Sequence, residues 1–572
     1  MKEKEKLKRC AKFSVLTISI LLLLSIIGIN SVQAVSNAAM AVDTTVDHKE
    51  LRSGGAVTPD TSVISPGPAS GIETVRHPRV GPNIRVNAPQ QGFPDGLLGR
   101  SETTITNVGN ERLVAGFNDA QGFCGPPFGS ACTPSPNPGL SGYAFSTNGG
   151  STWTDGGSPP VINHAFTRGD PWLDSGGGTV YYANLVVDDT KKDIFGDPQS
   201  LGIGVHRGKF KDNKFVWNDL HTFDSPNNTI TPDSDFYDKE AIAVSKDGRK
   251  DAYVSLTNFQ ALCGIPQFGF GQIEVWRTHD GGNTWQGPAI AGPEASDSVA
   301  SCGNTGTLQQ SSVPAIGPNG ELYVVWQYGP TFTSTTSTDA DIIVARSLDG
   351  GKTFNAPVKI ADINSMRQNP PVGYNRNRIN DHPRIAVATS GPNRGRVYVT
   401  FYSAVSPVST ATNEQSLVSS QIFLSYSDNK GRTWSKPKPI APALPATGIK
   451  RFWPVVTIES GGNVDVVYYE SQEKQATPDP NDIECNNGGR SGKASSLVDT
   501  YWVQSTDGGR TFKSPIKVSS KTSNWCSTTS NMVPNFGDYI GSASGGNHVF
   551  SVWADGRNGI PDVYFARIAG TG

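Results

Sequence analysis

From about residue 81 onward, short runs of alternating apolar and polar residues recur, each run closed by a glycine turn. KEAIAV (239–244) precedes AYVSL (252–256), and HPRIAV (382–387) precedes RVYVTF (396–401). A period of two sets alternate side chains on opposite faces, so these runs read as β-strands. Aligning the openings places Glu102, Asp170, Lys239, Val313, His382, Trp453 and Asp538 in one column, with spacings of 68, 69, 74, 69, 71 and 85. Each unit has room for four strands of about five or six residues plus turns.

A second repeat sits inside these units. STNGGSTW (146–153) returns as THDGGNTW (278–285), SLDGGKTF (347–354), SDNKGRTW (427–434) and STDGGRTF (505–512). An Asp or Asn that folds back onto backbone N–H groups, followed by glycines able to take positive φ, specifies a tight hairpin. The second unit lacks this motif, and the seventh stops after three strands. NIRVN (83–87), just before the first unit, is the candidate for the missing strand, since a closed ring leaves no exposed sheet edge. The expected fold is all-β: a seven-bladed β-propeller of four-stranded blades over residues 81–572, closed by an N-terminal strand. Six blades with an extra sheet is the alternative.

Composition fits this pattern and removes other classes. Glycine (63) and proline (40) are in excess and charged residues make up only 17% of 572, which demands many turns and argues against a solvated disordered chain. A formal net charge of −2 leaves no basic footprint, so nucleic acid is not an expected partner. The first twelve residues carry six Lys/Arg and two Glu, followed by an apolar run, 13–29. That is the form of an export signal, with cleavage expected after Ala34. An uncleaved anchor would be the only membrane contact. Removing residues 1–34 leaves 43 basic against 49 acidic side chains. Residues 35–80 form a Ser/Thr/Pro-rich linker. A secreted or cell-surface location follows.

Six cysteines remain, Cys124, Cys132, Cys263, Cys302, Cys485 and Cys526, an even number in an exported chain, and none forms a C-x-x-C pair. Cys263 and Cys302 occupy places around the third unit equivalent to those of Cys485 and Cys526 around the sixth. The expected pairs are Cys263–Cys302, Cys485–Cys526 and the local Cys124–Cys132. No cofactor or metal is expected, although the acidic stretches at Asp339–Asp341 and Asp479–Asp482 carry the oxygen ligands that Ca²⁺ takes.

The turn pattern S-x-D-x-G-x-T-[W/F] resembles the Asp box, or BNR repeat, of the sialidase superfamily, over nearly all of the predicted propeller. The resemblance implies that Asp280, Asp349 and Asp507 lie on the rim away from an active site. It also implies an extracellular glycan or glycoconjugate as partner and glycoside hydrolysis as the activity; a non-catalytic propeller that binds carbohydrate or protein is the alternative. No F-R-I-P string occurs; the nearest are Ile84–Val86 and Pro383–Ile385.

Loops entering the innermost strands converge on one mouth. The openings bring Glu102, Arg168, Asp170, Asp238, Lys239, Glu240, Asp381, His382, Arg384, Arg451, Trp453, Asp538 and Tyr539. Carboxyls for acid/base work, arginines for an anionic group and an aromatic face suit a sugar. By analogy with sialidases, Tyr539 is the candidate nucleophile, assisted by Glu102 or Glu240, and Asp170 the acid/base. Arg168, Asp238, Lys239, Asp381, His382, Arg384, Arg451, Trp453 and Asp538 are the candidate substrate-binding residues.

Overall fold

The computed structural model describes residues 77, 79–90, 96–123, 138–192, 198–224, 236–259, 271–292, 307–331, 339–367, 369–376, 378–405, 418–441, 448–474 and 495–570. Seven antiparallel sheets follow one another. Blades 1 to 6 open with innermost strands Arg100–Gly109, Ala165–Gly176, Phe236–Val244, Thr307–Ile316, Arg384–Val387 and Ile449–Ile458. Blade 7 runs Gly541–Gly545, His548–Asp555, Asp562–Ala569 and is completed by Ile84–Arg85, whose Ile84 lies opposite Phe565. The innermost strands touch in a closed cycle, blade 7 meeting blade 1. The N-terminal strand thus closes the ring as the pattern predicts. Six blades are excluded, and the blade 6 sheet carries one extra short strand, Ser523–Asn524. Among the described residues helical turns are confined to the 3-10 turns Ala120–Phe123 and Trp525–Ser527.

The second strand of each blade explains the apolar runs. Ala252–Phe259 and Val397–Ala404 are buried at every position, because each blade packs face to face against its neighbours on both sides. Strands are longer than expected, up to 14 residues in blade 2, where the hairpin at Lys211–Lys214 replaces the repeated turn.

The five box turns close the hairpin between third and fourth strands. In the third blade Asp280 Oδ1 accepts from the Asn283 and Thr284 N–H groups, each at 3.0 Å, and from Thr278 Oγ1 at 2.8 Å. Its Oδ2 accepts from Thr284 Oγ1 at 2.7 Å. Asp349 and Asp507 repeat this set, and Asn148 and Asn429 make its neutral version. The glycine at the fifth position of each box has positive φ, such as Gly351 at 80°. There the backbone lies on an aromatic ring of the preceding blade: Phe565, Tyr181, Tyr253, Tyr323 and Tyr398 in turn. A Cβ on Gly351 would sit 2.9 Å from Tyr253 Cε1. The motif therefore staples blades 1, 3, 4, 5 and 6 each to the one before it.

Candidate functional site

One irregularity recurs at the mouth. The innermost strands of blades 1, 2, 3, 4 and 6 slip register at the same height, between Ser101 and Thr104, Gly169 and Trp172, Asp238 and Ala241, Gln310 and Val313, and Phe452 and Val455. The first bulged residue has positive φ in every case: Glu102 51°, Asp170 54°, Lys239 59°, Ser311 62° and Trp453 47°. Bulges re-aim side chains, and left-handed backbone at a non-glycine residue costs about 1–3 kcal/mol. This corrects the sequence alignment for blade 4, where Ser311 occupies the column rather than Val313. QQSSV (309–313) carries no alternation to set the phase.

The bulges gather a buried polar ring around the axis. Asn118 donates to Glu102 Oε2 at 2.8 Å, and its Oδ1 accepts from the Asp170 N–H at 3.0 Å, joining blades 1 and 2. Lys239 Nζ lies 2.8 Å from Asp538 Oδ2 and 3.5 Å from Asp170 Oδ2. Asp538 also accepts from Asn380 at 3.0 Å and from the Tyr374 hydroxyl at 3.1 Å, and pairs closely with Arg376. Glu102, Asp170, Asp238 and Asp538 are at most 1% exposed.

These surroundings split the carboxyls into two sorts. Burial also pushes Asp538 upward, but Arg376 and Lys239 outweigh it and hold Asp538 far below the usual carboxylate range. Burial raises Asp170 to about 7 against the pull of Lys239. Burial, then the charge of Asp170, raises Glu102 well above its ordinary value. Glu240 is raised by burial and then by Asp170 and Asp238, and among the described residues no donor reaches either of its carboxyl oxygens. Burial and Lys239 depress His382, leaving it neutral. Among the described residues, Asp170, Asp238 and Glu240 are the group that brings carboxyl oxygens within 4.8 Å of one another, as holding a cation requires. Lys239 already supplies positive charge to that place.

Two segments cap the ring. Residues 365–367, 369–376 and 378–383, between blades 4 and 5, supply Tyr374 and Arg376; residues 525–540 lead into blade 7. They clasp through Asn375 and Asn535: the Asn535 N–H donates to Asn375 Oδ1 at 2.7 Å, and Asn535 Nδ2 to Gly373 O at 2.8 Å. Trp525 stacks on Phe536 with centroids 3.9 Å apart.

The remaining candidates separate. Tyr539 borders the ring: its hydroxyl donates to Pro171 O at 2.8 Å, and burial together with Glu102, Asp170 and Glu240 raises its pKa. Arg384 lies against both Trp172 and Tyr539, 4.0 Å and 5.2 Å from their ring centroids. Arg168 lies over Phe123. Asp381 accepts from the Met366 N–H at 3.1 Å. Arg451 pairs with Glu470 at 2.7 Å, and Trp453 packs among Tyr374, Phe452, Tyr469 and Trp525. Arg451 thus ties blade 6 to blade 5 through Ala441 O, and Trp453 packs against Tyr374 and donates to Asn380 O at 3.3 Å, supporting the ring from outside. Sequence reasoning missed Asn118, Tyr374, Arg376 and Asn380; the one signal was Arg367, Arg376 and Arg378 crowded into a connection without alternation. Cys526 is disulfide-bonded. The other five candidate cysteines, and Asp479–Asp482, lie outside the described residues. Asp341 meets Lys359 at 3.5 Å.

Fold and ring together define a seven-bladed β-propeller with buried acidic groups on its axis. The chain matches no protein-family model and no curated protein. Among solved structures it is similar to a protein of unknown function from Dyadobacter fermentans, with 16% identity over 69% of this chain and 95% of that one and a TM-score of 0.37. It is also similar to the α-L-arabinofuranosidase of Fusarium graminearum with arabinobiose (14% identity, 68% and 93% covered, TM-score 0.40). A third is Trypanosoma rangeli sialidase in complex with sialic acid (12% identity, 75% and 58% covered, TM-score 0.39). At such identities and scores the likeness carries no information on activity.

Proposed function

We propose that the protein is an exported, sialidase-like glycoside hydrolase that acts on extracellular glycans at the axial ring. The observation that carries this reading is the split between carboxyls. Asp170, titrating near 7, stands beside Asp538, which stays ionised. Neighbouring groups whose pKa values are driven apart mark acid and base roles. Asp170 is poised to protonate a departing glycosidic oxygen and to take a proton back from water. Glu102 or Glu240 would accept the proton of Tyr539 if that hydroxyl leaves Pro171 O to attack the sugar. The bulges bring Glu102, Asp170 and Lys239 together at the axis, within reach of a group bound there. Entry of a glycan requires the Asn375–Asn535 clasp to swing aside.

The sealed ring favours the second reading, a non-catalytic propeller that binds carbohydrate or protein through its outer loops. A glycan-release screen with sialosides, arabinosides and uronic-acid polymers separates the two. The enzyme reading expects turnover that falls about 100-fold or more in Asp170→Asn and Tyr539→Phe. Turnover undiminished in both variants, or none on any substrate, removes it.

A further inference from the structure

The axis holds a second feature, below the ring and opening on the face that carries the box turns. A cavity of about 640 Å³ is lined by the later residues of all seven innermost strands. Ile105, Ile242, Val313, Ile385 and Val455 give it apolar walls, and its size suits a small organic ligand.

Its polar groups are unevenly satisfied. Lys246 pairs with Asp174, and Arg249 with Asp247 at 2.6 Å. Arg384 has no carboxylate partner among the described residues. Its Nη2 donates to Ile540 O at 3.2 Å and its Nη1 has no acceptor. Only 4% of Arg384 is exposed, so its charge is buried against the faces of Trp172 and Tyr539 with no carboxylate to neutralise it. Thr457 on blade 6 and Ser542 on blade 7 also line the cavity, and their hydroxyl oxygens are buried and likewise unpartnered. Four cations and two acids face this space. A buried guanidinium that lacks a carboxylate, with spare hydroxyls on the next two blades, is a receptor for one.

We propose that the axial cavity binds an organic monocarboxylate, its acid group on Arg384 with Thr457 and Ser542, and its apolar body along the Ile and Val wall. This site is separate from the glycan reading and does not depend on it.

Calorimetric titration of the full chain with octanoate, octanol and octylammonium at constant ionic strength tests the proposal. Octanoate is expected to bind saturably, at least tenfold more tightly than the other two, and to shift the fluorescence of Trp172. Arg384→Met should weaken it at least tenfold. Ala315→Leu, which narrows the apolar wall on blade 4, should do the same and decides the matter if Arg384→Met does not fold. Asp170→Asn should leave octanoate binding unchanged, which separates this site from the ring. Equal binding of all three probes would mean a bare apolar groove and would overturn the proposal. So would binding of chloride without octanoate, no saturable binding of octanoate, or octanoate affinity undisturbed in Ala315→Leu and in folded Arg384→Met.

Discussion

Asp349 in a box turn and Asp170 in the axial ring are the same residue type in opposite surroundings. Asp349 is largely in water and accepts four hydrogen bonds from its own turn, which hold it well below the usual range. Asp170 is buried, takes little more than a distant Lys239, and is raised to about 7. The box position, filled three times by aspartate and twice by asparagine, is thus a local structural device. Asp170 at the axis carries its cost in burial and backbone strain. Only the second kind is free for proton transfer.

The sharpest way to break this contrast is at Asp538. Asp538→Ala leaves Lys239 and Arg376 buried without their carboxylate, and should cost about 3–5 kcal/mol in urea unfolding. A loss below about 1 kcal/mol would mean that the ring is not the tight, dry cluster described. Next in size is Gly351→Ala, which adds the strain of positive φ to a clash with Tyr253, about 1–3 kcal/mol. Gly248→Ala, with φ of 84° and open space around it, should cost only about 1 kcal/mol. The difference between the two measures the stapling of blade to blade.

Asp170→Asn should act in the opposite direction. The folded chain keeps the Asp170 proton up to about 7, whereas the unfolded chain releases it near the ordinary value of about 3.9. Its contribution is therefore full below the unfolded value and lost as pH rises through about 7. The variant should gain melting temperature over the parent as pH goes from about 5 to about 8. Asp507, held at about 2, has the reverse sign: its contribution is present above the unfolded value and fades as pH falls towards 2. The smallest effect is expected for Asp349→Asn, below about 1 kcal/mol at neutral pH, since Asn148 and Asn429 already fill that place. Thermal melts across pH check both.

The sequence carried the contrast unevenly. The boxes were legible because their turn admits few residue types, and the blade count because unit length is nearly constant. Strand closure by 83–87 followed from the absent last strand. Glu102, Asp170, Lys239 and Asp538 were found by alignment, yet the same column admitted Trp453, which its bulge turns into an aromatic core. Arg384 and Arg451 sit one or two residues from ring positions, and strand geometry sends them elsewhere. Tyr374 and Arg376 were invisible as ring members, because a connection without periodicity gives no phase from which to place a side chain.

The central claim is that Asp170 is a neutral acid in the folded protein near pH 6 while the box aspartates are ionised. Infrared difference spectra of the parent against Asp170→Asn, taken across pH, test it directly. A protonated-carboxyl band that belongs to Asp170 and vanishes around pH 7 is predicted; a band that disappears near the ordinary value of about 4, together with the exposed acids, would contradict it.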